Sequence, residues 1–213
     1  MSFPSEVISK LKADLDGSVV SSRKQAGRAL SYVESWHCIA EANRIFGFGN
    51  WDRETIDLKC INEHSEEAEG NKGKYNKHYV TYIARVRITV RNADNDNLVV
   101  REGCGSGHGK GMSDCGDAHE SALKEAESDA MKRALMTFGN PFGLALYDKQ
   151  QTRVSDPARQ QKFIEYCNGF AADVVGDTLN QSGHAALDCV PQGEWKSFTA
   201  SLTARGNGVG TIN

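Results

Sequence analysis

Between residues 101 and 117 the chain reads REGCGSGHGKGMSDCGD, with glycine at 103, 105, 107, 109 and 111. Side chains alternate between the two faces of a strand. Glycine at every second position therefore strips one face bare, while Cys104, Ser106, His108 and Lys110 occupy the other. A bare face suits close approach by protein backbone or by a polymer. Two tighter readings of the glycines fail on spacing. A phosphate loop needs serine or threonine after Gly-Lys, and Gly109-Lys110 is followed by Gly111. A dinucleotide fingerprint needs G-x-G-x-x-G, which no register of this run supplies.

The same stretch offers Cys104, His108, Cys115 and His119, all zinc-type donors. Structural zinc sites favour Cys-x2-Cys or His-x3-His pairs, whereas both pairs here are Cys-x3-His. The spacing speaks for no metal, and nothing else in the chain calls for a cofactor. A zinc-dependent hydrolase stays as an alternative, but no acid or base stands out as its catalytic partner. The expectation is a protein that is not an enzyme.

Around the glycine run the sequence reads as helix, three strands, helix, tail. Ser31 and Glu34 have capping-box spacing, and Val33, Trp36, Ile39, Ala40 and Phe46 suit one face of a helix over about 31–46 that ends at Gly47. WDRETIDLKC then places Ile56, Leu58 and Cys60 on one side of a strand, and an acidic loop is expected over 61–76. In YVTYIARVRITVR, Val80, Tyr82, Ala84, Val86, Ile88 and Val90 point one way and Arg85, Arg87 and Arg91 the other. One face is core and the other cationic. The turn NADNDN closes a hairpin onto NLVVREGCGSG. The helix that follows carries Ala118, Ala122, Leu123, Ala126, Ala130, Met131, Ala134, Leu135 and Phe138 as an apolar stripe, and Gly139-Asn140-Pro141 stops it. Lys132 and Arg133 lie near its end, where cations suit the helix dipole, and Asp129 is spaced to pair with Arg133.

The net charge of −3 hides a segregation. Residues 72–101 and 132–162 are basic blocks, while 60–71 and 102–131 are acidic, a pattern that points to a basic groove rather than a uniformly charged surface. No run approaches the length of a membrane span, and the N-terminal MSFPSEVISKLKADLD lacks the apolar core of a secretory signal. Six scattered cysteines do not resemble a disulfide framework, so reduced thiols in a soluble intracellular protein are expected.

The strings SSRKQAGRALSYVE, ANRIFGFGNW, KHYVTYIARVRITV, EGCGSGHG and KEAESDAMKRALMTFGNPFGLALYDK resemble, in order and spacing, the DNA-binding domain of the Rad52/Rad22 single-strand annealing family. The resemblance covers roughly residues 18–155. It implies an α+β fold: a β-β-β-α core with its antiparallel sheet packed on helices, forming a homo-oligomeric ring with single-stranded DNA around the outside. Carried over residue by residue, it implies an inner DNA groove at Arg23, Lys132 and Arg133, and an outer site for a second strand or duplex at Lys77, Lys149 and Arg153. Met136 stands where the family has a cation one turn after Lys132. Ser113 stands where it has a lysine, for which nearby Lys110 can substitute. Arg85 and Arg87 are added as a strand that faces DNA.

On this reading residues 1–155 form the DNA-binding and oligomerisation domain, and 156–213 form a helical or partly disordered tail that is a place for a recombinase or single-strand-binding protein to dock. The expected function is ATP-independent binding and annealing of single strands in homologous recombination or double-strand break repair. The site of action would be the cytoplasm or nucleoid in a prokaryote or phage, and the nucleus in a eukaryote. The order helix, three strands, helix also fits a double-stranded RNA-binding module, which is the competing reading.

Overall fold

The computed structural model describes residues 3–25, 27–71, 73–92 and 98–206. In chain order these form α1 (Ser5–Lys12), β1 (Leu15–Asp16), β2 (Val20–Gln25), β3 (Arg28–Val33), α2 (Ser35–Phe46), β4 (Trp51–Gly70), β5 (Gly73–Arg91), β6 (Leu98–Met112), α3 (Cys115–Met136), β7 (Val154–Ser155), α4 (Pro157–Cys167), α5 (Ala172–Ser182) and α6 (Trp195–Gly206). Strands β4, β5 and β6 make an antiparallel sheet in that order, with α3 across one face. This is the α+β arrangement the sequence implies.

The bare face of β6 is covered by the chain's own helix. A Cβ added at Gly103, Gly105, Gly107 or Gly109 would collide with the backbone of α3 at Ala130, Ala126, Ala122 and Ala118. Two residues of strand advance about 6.7 Å and four residues of helix about 6 Å, so alternate glycines and every-fourth alanines run nearly in step. Ala118, Ala122, Ala126, Ala130 and Ala134 are all fully buried in this seam. The seam lets backbone approach backbone along most of α3. Asp114 caps the helix, its carboxylate accepting the Asp117 N–H at 3.0 Å.

The rest of the core is built as the β5 alternation requires. Val80, Ala84, Val86, Ile88 and Val90 are buried beneath α3, and Tyr82 is half-buried beside them. Beyond the end of α3, Phe3, Phe46, Phe138 and Phe142 form an aromatic cluster with ring centres 5.2–6.4 Å apart.

Three expectations need correction. The helix assigned to 31–46 begins at Ser35, and the residues before it form the β2–β3 hairpin, turned at Gly27 with φ +77°. Ser31 pairs with Ser22 in that hairpin, so it caps nothing. The buried stripe of α2 is Cys38, Ala42, Ile45 and Phe46, whereas Trp36, Ile39 and Ala40 face outward. The loop assigned to 61–76 is instead a long hairpin extension of β4 and β5, held by cross-strand charge pairing such as Glu66 opposite Lys77 and the 2.6 Å Glu67–Lys74 pair. Acidic composition concealed the strand because both its faces meet solvent there. The Ile56, Leu58, Cys60 alternation is broken as well, since register shifts occur between Thr55 and Asp57 and between Cys60 and Asn62. The NADNDN turn falls mostly on 93–97, outside the described residues.

The C-terminal region is helical. Helices α4, α5 and α6 enclose a second core of Phe163, Cys167, Val175, Val190, Phe198 and Leu202, with Phe163 stacked on Trp195 at 4.9 Å. Parallel pairing of β1 with β7 and the Gly193 N–H donating to the Thr152 carbonyl at 3.1 Å join it to the rest. Among the described residues no helix is long and apolar enough to cross a membrane.

Candidate nucleic-acid interface

The β2–β3 register places Tyr32 opposite Ser21 and Arg23 opposite Leu30, so Arg23 and Tyr32 are diagonal neighbours on one face of the hairpin. The Arg23 guanidinium lies 5.6 Å from the centre of the Tyr32 ring. The Lys132 ammonium, arriving from α3, lies 5.6 Å from the same centre. An aromatic face attracts cations through its quadrupole, so one ring holds two positive charges that would otherwise repel each other. Cys38 lies beside this cluster. Burial pushes its thiol up to about 11, with the Lys132 charge working against that shift, so it is a packed side chain rather than a nucleophile.

Arg133 leaves α3 about 100° around the axis from Lys132. It is paired with Asp129 at 3.1 Å, the expected i,i+4 contact, and that hydrogen bond raises its already high pKa. It lines a shallow cavity of about 310 Å³ together with Asp57, Arg85, Cys104, Ser106 and Asp129. Thus Arg23 and Lys132 come together, while Arg133 faces the sheet and Arg85.

On the sheet face turned away from α3, Arg85 and Arg87 converge on Glu102. The Arg85 Nε donates to it at 2.8 Å and the Arg87 Nε at 2.9 Å. These two hydrogen bonds, Arg85's first, hold the Glu102 carboxyl below the usual carboxylate range. The strand is cationic as expected, but its two arginines share one acid.

The four residues of the implied outer site divide into two pairs. Lys77 lies in the β4–β5 extension, 6.0 Å from the centre of the Tyr75 ring, and Lys110 lies opposite Tyr79 on the same sheet face. Both sit near the start of α3. Lys149 and Arg153 follow its end, roughly 33 Å away along a helix of 22 residues. Lys149 is exposed. Arg153 is engaged in the fold: it donates to the Lys12 carbonyl at 2.7 Å and pairs with Asp14 at 3.0 Å. A single protomer therefore does not bring the four together.

A family model described as Rad52/22 family double-strand break repair protein matches residues 4–163. The chain belongs to the Rad52/22 family. It is 34% identical over 145 residues to the DNA repair and recombination protein mus-11 of Neurospora crassa, which covers 67% of this chain and 22% of the relative. It is 33% identical over 148 residues to the DNA repair and recombination protein rad22 of Schizosaccharomyces pombe, covering 68% and 29%. It is 32% identical over 145 residues to the DNA repair and recombination protein RAD52 of Saccharomyces cerevisiae, covering 68% and 28%. The chain thus spans less than a third of the length of each of these relatives.

Membership of the Rad52/22 family displaces the double-stranded RNA module, and the geometry separates the four donors on which the zinc-hydrolase reading rested. Cys104 and His108 project from β6 on the face away from α3, while Cys115 and His119 belong to the first turns of α3, so the four donors do not converge. His108 is instead engaged with the Thr81 hydroxyl at 3.2 Å. Met136 packs against the core as an apolar side chain, and Ser113 is exposed just beyond β6. Tyr32 is the residue the sequence reading missed. Recognising Gly27 as a hairpin turn would have placed it beside Arg23; reading 31–46 as a helix hid that relation.

Proposed function

We propose that this chain binds single-stranded DNA and anneals complementary strands without ATP, in homologous recombination or double-strand break repair. The observation that carries the reading is the placement of Arg23 and Lys132 on the shared ring of Tyr32, with Arg133 on the adjoining flank of α3. Lysine and arginine hold a strand by its phosphates without reading sequence, which leaves the bases open to a second strand. The process needs binding and positioning, and no catalytic step.

Assembly into a ring would extend this surface from protomer to protomer. It would also bring the Lys77 and Lys110 of one protomer nearer the Lys149 and Arg153 of another. The edges of β4 and β6, and the exposed Trp36, Ile39 and Phe48, supply strand edges and apolar surface suited to such contacts. The α4–α6 helices are the region we assign to a recombinase or single-strand-binding partner. In a eukaryote the site of action would be the nucleus.

The test is a poly-dT oligonucleotide titrated against the protein at several salt concentrations, with annealing of complementary strands followed in parallel. Affinity should fall with salt, with a log-log slope of about −0.7 for each phosphate neutralised. Lys132→Ala combined with Arg133→Ala should leave the circular dichroism spectrum unchanged while binding and annealing collapse. A folded double variant that binds normally would overturn the proposal.

A further inference from the structure

Where the β4–β5 hairpin meets the first turns of α3, Glu63, Cys115 and His119 bring a carboxylate oxygen, a thiol and an imidazole nitrogen within 4.8 Å of one another. Cys115 and His119 are four residues apart and so share one face of the helix. Glu63 lies opposite Val80, whose side chain is buried against Ala118 and Ala122, so it is on the sheet face that meets this part of α3. The three donors come from two elements that pack together for other reasons.

We propose that Glu63, Cys115 and His119 bind one divalent ion of the zinc class. The orientation of His119 supports this independently of the clustering. Its Nδ1 lies 3.1 Å from the Tyr82 hydroxyl, and its Nε2 faces Glu63 at 3.7 Å. In the ligating tautomer Nδ1–H donates to the phenol oxygen and the Nε2 lone pair is left for the metal, which is how outer partners ordinarily orient metal-binding histidines. Ligand atoms 2.0–2.3 Å from a tetrahedral ion lie roughly 3.3–3.8 Å from each other, so the Glu63–His119 pair already has ligand spacing. The thiol needs to close by about 1 Å at most from the 4.8 Å limit, within reach of one χ rotation.

The donor set selects the ion. One thiolate, one imidazole and one carboxylate suit zinc or cobalt rather than magnesium or calcium. On binding, Cys115 gives up its proton, and the thiolate with the carboxylate cancels the charge of the ion. A fourth position is left for water. One proton is released per ion, so affinity falls as pH falls. Bound there, the ion fastens the long hairpin to the start of α3. The Cys104–His108 half of the sequence's donor set faces elsewhere, and Glu63 replaces it. The site is about 20 Å along α3 from Lys132, so its test does not depend on DNA binding.

The experiment is a cobalt(II) titration of the full chain. One ion per chain should produce visible d–d bands of tetrahedral cobalt with a near-ultraviolet thiolate-to-cobalt charge-transfer band. Zinc should displace it. Cys115→Ser should abolish the charge-transfer band, and Cys104→Ser should leave it intact. Glu63→Gln should weaken binding, and Tyr82→Phe, which keeps the ring and removes the hydroxyl, should weaken it roughly tenfold or more. Absence of the band at saturating cobalt would overturn the proposal, as would a band that survives Cys115→Ser while the circular dichroism shows both proteins folded.

Discussion

Arg23 and Lys132 hold the same aromatic ring, each with its charge 5.6 Å from the centre of Tyr32. The ring ties the two cations together, because the hairpin and α3 supply one each. Tyr32→Ala should therefore loosen both. At about 0.5–1 kcal/mol for each of the two cation–π contacts, single-strand affinity should fall about five- to thirtyfold. Tyr32→Phe keeps the π face and should bind almost as wild type. An equal loss in both variants, measured by fluorescence anisotropy, would mean that the hydroxyl and not the ring matters.

The Gly107 seam makes a prediction of the opposite kind, about the fold alone. A methyl group at Gly107 would fall inside the carbonyl of Ala122, and the obstacle is helix backbone, which cannot rotate away. Gly107→Ala should cost more than about 3 kcal/mol in denaturant unfolding. Gly176→Ala is the control: it sits within α5, where an added methyl group would meet nothing within 4 Å, and should stabilise by roughly 0.5–1 kcal/mol.

The contrast between those glycines shows where the sequence was legible. Strong period-two alternation in β5 and the wide stripe of α3 announced the core, because burial on one face leaves a repeating apolar signal. Alternate glycines announced a close approach but not its partner, since absent side chains say only that space is needed. The partner was readable in the alanines at 118, 122, 126, 130 and 134, through the near match of strand and helix rise. The β4–β5 extension was not legible: a hairpin solvated on both faces has no apolar period to show. The convergence of Arg23 with Lys132 was legible only through the family resemblance, because it depends on tertiary packing between elements distant in the chain.

Glu102 governs the arginines of the outer sheet face. Its pKa is depressed in the folded state, so its pairing with Arg85 and Arg87 is present above the ordinary glutamate range and is lost only as pH falls through the lowered value. Around neutral pH both arginines stay paired. Glu102→Gln should release Arg85 there and leave Arg87 only its longer 3.8 Å contact with Glu54. If this face contacts DNA, single-strand affinity should rise roughly two- to fivefold, and the salt slope should steepen by about 0.7 for each freed arginine that reaches a phosphate. Unchanged affinity and slope would remove Arg85 and Arg87 from the interface.

Arg153 has a second employment that must be separated from any DNA contact. Burial raises the pKa of Asp14, and Arg153 at 3.0 Å is the main influence that opposes it. A carboxyl raised above its unfolded value contributes stability that is full below the unfolded pKa and is lost as pH rises through the folded one. Removing Arg153 strengthens that loss, because the ionised Asp14 then keeps only the Gln192 N–H at 3.2 Å. Arg153→Ala should thus cost about 1–3 kcal/mol at neutral pH, between the values for exposed and buried pairs, and less at pH near 3, where only the lost hydrogen bond to the Lys12 carbonyl remains. Adding Asp14→Asn should restore most of the neutral-pH stability. Lys149→Ala, at an exposed position, should leave stability unchanged and so reports on DNA alone. Thermal unfolding of the single and double variants across pH decides the matter. An Arg153→Ala protein as stable as wild type at neutral pH would show that the arginine is not needed by the fold, and any annealing defect it carries could then be assigned to DNA.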